Sequence, residues 1–439
     1  MKKDSFNTKL REHVKQNISP TSVDKKFVTI IYDSFKTVLN QSCIQIGSYS
    51  RFTAIRPLHD LDILYIIGNW SKEDHNPGKA LKELDIIIKN DYKNPTDYEL
   101  EISLRSHSIN ILFKSKTEEV FSVDIVPAYI FSKNEYDEDT YKVPEIIRKK
   151  HGRNRIEYYG ILLEEQRAMV WISTDPRGYL EIAKRVNQSN DDFRKTVKFI
   201  KAWKNSCKAK DNSLELKSFH IEQVVTGYFR EDPHLEIFDG IFKFFASLPE
   251  IIESARIPDR SSNENLIDDY VNNLTKGQKE RIIEARDCFL VKLEEFSEND
   301  EAGGLLNACF YKRASYHEQF LFDFQIPTLL DDDYSFGIFG EVQERKGGFR
   351  KYILDKIGRI KIDRNIKFGI KGNPPNVDLF KWKVKNDNSC KEPRGEITDH
   401  HTKNDPELSK YNGNHYVECY AILNNTCVAK SRQNVRLGT

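Results

Sequence analysis

Apolar residues at Phe27, Ile30, Ile31, Phe35, Val38 and Leu39 recur at helical spacing, so a helix is predicted over about 22–40. Thr21, with Asp24 three positions on, supplies the capping box that starts it. The period then shortens. CIQI runs as a short strand into Gly47-Ser48, and LDILYII at 61–67 is the most strand-like run of the N-terminal third. A helix at about 78–90 follows, then strands in ELEISL, INILF and VFSVDIVPAYI. Mixed strands and helices of this kind predict an α/β or α+β unit.

From about 190 the pattern becomes helical, with segments 191–206, 218–230, 235–247 and 275–296; the last opens on a second capping box, Thr275 with Gln278. After SENDEAGG at 297–304, and from about 316 on, short alternating runs dominate. FKWKVK sets Phe380, Trp382 and Val384 against Lys381, Lys383 and Lys385, which predicts an apolar and a solvated face. HYVECYAIL and TCVAK read as a hairpin turned at Asn424-Asn425. The expected division is 1–190, with its N-terminal helix packing across both lobes, then 191–310, then a β-rich unit, expected to be a sandwich, over 316–439.

Composition narrows the class. The 439 residues are too many for one ordinary core, and 38% apolar with 31% charged residues describes a soluble globular chain without a large disordered part. The 68 basic and 67 acidic side chains nearly cancel, so binding of polyanions must come from a local site. The seven cysteines are scattered, odd in number and free of Cys-x-x-Cys spacing, which predicts reduced thiols and a cytosolic setting. The start MKKDSFNTKLREHVKQ has no apolar region of a secretory signal, and no run approaches the roughly 18 apolar residues of a membrane span. No membrane insertion by this chain is expected.

The chemistry concentrates in GSYSRFTAIRPLHDLDILYII. In a strand, Asp60 and Asp62 project to one face, where two close carboxylates repel unless a cation lies between them. A pair of Mg²⁺ ions about 4 Å apart is the natural occupant, with Mn²⁺ as substitute. Gly47 lets backbone amides approach phosphate oxygens and Ser48 adds a hydroxyl donor. Asp124, alone in the apolar strand FSVDIVPAY, is expected to be the third carboxylate of the metal site. On the helix near 192–205, Phe193, Val197, Ile200 and Trp203 form the buried stripe, and Lys198 and Lys201 stand one turn apart, within reach of a phosphate. His220 and Glu222 are expected to make structural hydrogen bonds, Trp171 to pack, and His400-His401 to lie in a surface loop.

Gly-Ser followed by Asp-x-Asp resembles the signature of the polymerase-β-like nucleotidyltransferases. The wording RxTAIRPLxDLD, then VDIVPA, WISTDP, FIKAWK and KSFHIE, is similar to the bacterial cGAS/DncV-like nucleotidyltransferases of anti-phage defence (SMODS type) across most of residues 1–310. Phe52 departs from the glycine usual there. The stretch from YHEQF through GNHYVECY resembles the AGS-C sensor module appended to some of these enzymes. The resemblance implies a polymerase-β-like core with a helical second lobe. It also implies donor-triphosphate contacts at Lys201 and Ser218, NTP or dNTP substrates, and a cyclic or linear oligonucleotide product that acts on a downstream effector. Linear deoxyadenylate chains that restrain a pore-forming partner, as in Hailong-like systems, are one variant of that outcome. A nucleotide-binding sensor without catalysis and an RNA-tailing enzyme are the competing readings; the near-neutral charge weighs against a large RNA substrate.

Overall fold

The structure, a computed structural model, describes residues 3–71, 76–105, 107–146, 169–297, 299–343, 348–350, 353–399 and 406–438. Helix α1 (Lys3–His13) continues through a π-helical turn at Val14–Ile18 toward α2 (Ser22–Val38). The capping box at the start of α2 is formed: the Thr21 side chain accepts from the Asp24 amide, and the Asp24 carboxylate accepts the Thr21 N–H at 2.7 Å.

A seven-stranded sheet follows, made of β1 (Cys43–Ile46), β2 (Asp60–Asn69), β3 (Glu99–Leu104), β4 (Ile109–Ser115), β5 (Glu118–Lys133), β6 (Asp139–Ile146) and β7 (Met169–Thr174). Its order is β1-β2-β5-β4-β3, and β6 joins β7 to the far half of β5. Strands β2 and β5 run parallel, and the other pairs are antiparallel. Short helix α3 (Gly47–Ser50) caps β1, and α4 (Pro77–Asp91) joins α2 beneath the sheet. Leu61, Ile63, Val123 and Ile125 pack there against Val28, Ile31, Leu81 and Leu84. Strand alternation therefore turns Asp60, Asp62 and Asp124 to the opposite face.

The second lobe consists of α5 (Pro176–Ser189), α6 (Asp192–Lys210), α7 (Ser218–Glu231), α8 (Ile237–Ile251), a small hairpin of β8 (Pro258–Asp259) and β9 (Ser262–Leu266), and α9 (Lys276–Glu295). Residues Phe6, Leu10, Val14 and Ile18 belong to this helical core, as do Ile182 and Val186. Segments 3–18 and 176–189, which fall within the expected 1–190 unit, the first of them as a helix reaching across both lobes, thus pack with the helices. Arg11 fixes the junction by a two-armed bond to Asp192 at the start of α6. The sequence signal for α5 lay in Asp175-Pro176: Asp175 caps the helix through the Gly178 amide and proline occupies its first position.

The last unit is a β-sandwich. One sheet pairs β10 (Gly337–Gln343) with β11 (Phe349–Arg350) and β12 (Asn365–Lys371). The other contains β13 (Leu379–Lys385) and β14 (Ile397–Thr398). Strand β15 (Glu407–Leu408) completes the first sheet, and β16 (Gly413–Leu423) and β17 (Thr426–Leu437) complete the second. Ile338 and Phe368 of one sheet meet Trp382, Val417 and Val435 of the other. The β16–β17 hairpin turns at Asn424 and Asn425, both at positive φ, as its sequence predicts.

Two expectations are corrected. Lys383 and Lys385 do not face solvent; they are 2% and 5% exposed, because residues 315–324 lie over that face of β13. Lys385 pairs there with Glu318 at 3.0 Å and Lys383 stands over the Phe320 ring. The cysteines are not all free thiols either. Cys288 of α9 is bonded to Cys309, brought together by a fold-back that spacing alone does not reveal. His400 and His401 lie outside the described residues, and among the described residues no helix is long and apolar enough to cross a membrane.

His220 in α7 is 1% exposed, with Nδ1 2.9 Å from the Tyr270 hydroxyl and Nε2 3.7 Å from Asp268. Burial pushes its pKa down to about 4, against the opposing pull of Asp268. Because the folded value lies below the unfolded one, the unfolded chain takes up the proton first as pH falls through 6.5. Stability should fall between pH 6.5 and 4 by up to about 3 kcal/mol from this residue. Urea unfolding of wild type and His220→Asn at pH 7, 5.5 and 4 should show a shallower pH slope in the variant; equal slopes would remove His220 as the cause.

Candidate active site

Strand β1 ends at Gly47, whose φ of +74° turns the chain sharply into α3. A Cβ on Gly47 would lie 1.8 Å from Asp62 Oδ2, so only glycine lets this loop close over the carboxylate. The register explains the proximity: Ile46 pairs with Asp62 across β1 and β2, and Asp62 pairs with Asp124 across β2 and β5. Ser48 follows, and its carbonyl accepts the Thr53 amide at 2.9 Å, which tightens the loop. Phe52, at φ +61°, projects outward and receives the Arg194 guanidinium on its ring. The position where the resemblance leads one to expect glycine thus keeps a glycine-like backbone.

The loop forms one wall of a cleft of about 650 Å³. Gly47, Ser48, Asp60 and Asp62 line it from the sheet side, and Lys201, Lys204, Ser218 and Phe219 from the helices. Six of the seven residues singled out from sequence therefore share one cleft. Asp124 is beside it rather than on its wall, with Oδ1 accepting from Ser108 Oγ at 2.9 Å and from Asn110 Nδ2 at 3.3 Å.

The two lysines expected to reach phosphate separate. Lys198 points away and donates to Ser19 Oγ at 3.1 Å. Lys201 is 4% exposed; its Nζ lies 2.9 Å from Glu222 Oε2 and 3.1 Å from Thr53 Oγ1. Arg51 clasps the other oxygen of Glu222, and Thr53 donates to Oε2 at 2.7 Å. Burial alone would raise the pKa of Glu222, but Arg51 and Lys201 reverse this and hold it well below the usual carboxylate range. Glu222 is therefore an ionised strut between the loop and the helical lobe.

Lys204, one turn beyond Lys201, is with Arg51 one of two cleft cations not marked by the sequence patterns. Its Nζ donates to Ser218 Oγ at 2.9 Å, and burial together with Lys208 and Lys201 lowers its pKa to about 8. Tyr179 and Phe219 meet edge to face at the same wall, at 5.0 Å. Trp171 packs instead between Trp70 and Tyr129.

On the carboxylate side, burial and the charges of Asp60 and Asp124 push Asp62 up to about 7, against Arg51. Such a cluster gains from a cation. Among the described residues no group of three or more His, Cys, Asp or Glu side chains converges as a metal cage. The donors are nonetheless hard carboxylate oxygens, two of them on the cleft wall, and that set fits an ion which takes one or two carboxylates and completes its shell with water and phosphate.

Comparisons with known proteins bear on this arrangement. Residues 315–438 match the Adenylyl/Guanylyl and SMODS C-terminal sensor domain. A curated relative from Bacillus cereus strain VD146, named "Probable cyclic nucleotide synthase", is 26% identical over 230 residues, 47% of this chain and 61% of that protein. The chain thus spans less than two thirds of the relative's length. Among solved structures, Escherichia coli MS115-1 CdnC with ATP aligns over 69% of this chain and 94% of its own at 15% identity and a TM-score of 0.47. The Bradyrhizobium diazoefficiens CD-NTase CdnG in complex with GTP aligns over 68% and 96% at 11% identity and 0.46. The chain is thus similar to a cyclic nucleotide synthase over about half of its length and carries, at residues 315–438, a match to the Adenylyl/Guanylyl and SMODS C-terminal sensor domain.

Proposed function

We propose that the chain is a template-independent nucleotidyltransferase that joins nucleoside triphosphates, or deoxynucleoside triphosphates, into a short cyclic or linear oligonucleotide. One observation carries the reading: the Gly47-Ser48 loop closes over Asp62, beside Asp60 and Asp124, and faces Lys204 and Ser218 across one cleft. The kinship with a cyclic nucleotide synthase supports a nucleotide signal as product, in the defence setting of the family, acting on a separate effector.

In this scheme Asp60, Asp62 and Asp124 hold Mg²⁺ or Mn²⁺, which when bound supplies charge that acidifies an attacking hydroxyl and stabilises the leaving oxygen. The Gly47 backbone and the Ser48 hydroxyl take phosphate oxygens on the sheet side. Lys204 and Ser218 take them on the helical side, while Lys201, committed to Glu222, holds the wall in place. The acceptor hydroxyl oxygen forms a new ester bond to the α-phosphorus, the bond to the bridging oxygen breaks, and pyrophosphate leaves with that electron pair. The hydroxyl proton departs toward the carboxylate side of the cleft.

Incubation with each labelled NTP and dNTP plus Mg²⁺ or Mn²⁺, followed by mass analysis of small-molecule and protein fractions, tests this reading. Pyrophosphate release is expected from wild type, and Asp60→Asn with Asp62→Asn should lower it at least about a hundredfold with the fold retained. Undiminished turnover in the folded double variant refutes the scheme. Lys204→Met should raise KM for the triphosphate about tenfold or more, with a smaller effect on kcat, as expected for lost ground-state binding; an unchanged KM would take Lys204 out of the phosphate site.

A further inference from the structure

Phe52 is doubly out of place as a structural residue. It sits at φ +61°, a conformation that suits glycine, and it is 60% exposed at the outer rim of the loop that carries Gly47 and Ser48. Neither feature helps the fold, and a glycine there would relieve the backbone without opening the core. The Arg194 guanidinium of α6 lies 4.8 Å from the ring centre, which covers one side of the ring and leaves the rest to solvent. Strain held at an exposed aromatic side chain belongs to a functional surface rather than to folding.

The surroundings of Phe52 are cationic. Lys198, one turn along α6 from Arg194, donates to Ser19 Oγ at 3.1 Å. Burial lowers its pKa to about 8, and Lys25 of α2 and Arg194 stand close enough to add their repulsion. Arg56 anchors its amide on the Ile18 carbonyl at 2.8 Å and its guanidinium on the Gln16 carbonyl, near Asp24. The other carboxylates of this region are engaged elsewhere: Asp191 and Asp192 take Lys195, and Glu222 takes Arg51 and Lys201. Among the described residues no salt bridge forms to Lys25, Arg56, Arg194 or Lys198, and Arg194 Nε is buried without a hydrogen-bond partner.

Four cations around one open aromatic ring are the parts of a strand-binding surface: the ring takes the face of an unpaired base, and the ammonium and guanidinium groups take the phosphates beside it. An acidic protein segment would use the charges but not the ring, and a duplex hides its base faces. We infer that the rim built from Phe52, Arg56, Arg194, Lys198 and Lys25 is a docking surface for a short single-stranded oligonucleotide, with one base stacked on Phe52 and the backbone following the cations toward the start of α2. None of these five residues lines the catalytic cleft, and the inference does not depend on what reaction that cleft performs.

Fluorescence anisotropy of labelled dA, dT, rA and rU strands of about twelve nucleotides tests this. The full chain carries Asp60→Asn and Asp62→Asn and is held in EDTA, so that neither metal nor turnover contributes. At least one strand should bind, with an affinity that falls as salt rises, and the same sequence closed into a duplex hairpin should bind at least about tenfold more weakly. Phe52→Gly, which removes the ring and suits the backbone, should weaken strand binding about tenfold or more with the fold retained in urea unfolding. Lys25 is exposed, so Lys25→Glu keeps the fold; it should weaken binding of every strand and flatten the salt dependence. The inference is overturned if no strand binds, if the hairpin binds as tightly as the strand, or if either folded variant leaves binding unchanged.

Discussion

One buried carboxylate sets the geometry on which the rest of the catalytic unit depends. Glu222, at 1% exposure, is held by Arg51 and Thr53 from the loop after β1 and by Lys201 from α6. The sheet fixes where the aspartates stand and the helical core fixes where Lys204 and Ser218 stand. The relation between the two walls runs through this cluster. A buried ion pair of this kind contributes little net stability, yet loss of one partner strands a charge at a cost of about 3–5 kcal/mol, so the arrangement enforces a single relative placement.

Most of the sheet side was legible in sequence because its chemistry and its alternation coincide. Leu61 and Ile63 had to be buried, which forced Asp60 and Asp62 to the other face, and Gly47 announced a backbone that approaches something closely. The helical side was harder. Periodicity puts Lys198, Lys201 and Lys204 on one helix but does not say which neighbour each will meet. That depends on Ser19, Glu222 and Ser218, which arrive from 14 to 179 residues away. Helix α5 is not among the helices predicted from periodicity, although Asp175-Pro176 is a strong start signal.

The sandwich shows the same limit from another angle. Alternation in FKWKVK correctly gives a strand, and it points Trp382 into the core. It then misplaces Lys383 and Lys385, because a period of two reports which residues share a face and not what covers that face. Residues 315–324 cover it, and their Glu318 and Phe320 give the ammonium groups an ion pair and an aromatic ring. The bond between Cys288 and Cys309 belongs to the same junction and escapes sequence reading for the same reason.

The burial of Lys383 and Lys385 has an architectural consequence. A tethered accessory domain joined by a loose linker can be cut away or exchanged with little harm to what remains. Here the segment that leaves α9 becomes part of the sandwich's own covering, and the charged seam of Arg286, Asp287, Arg313 and Asp323 is completed only when that segment is seated. The module is therefore not severable in the ordinary sense: the boundary seen in sequence near residue 310 runs through a shared interior, and the two sides have to be swapped, shuffled or inherited as one piece.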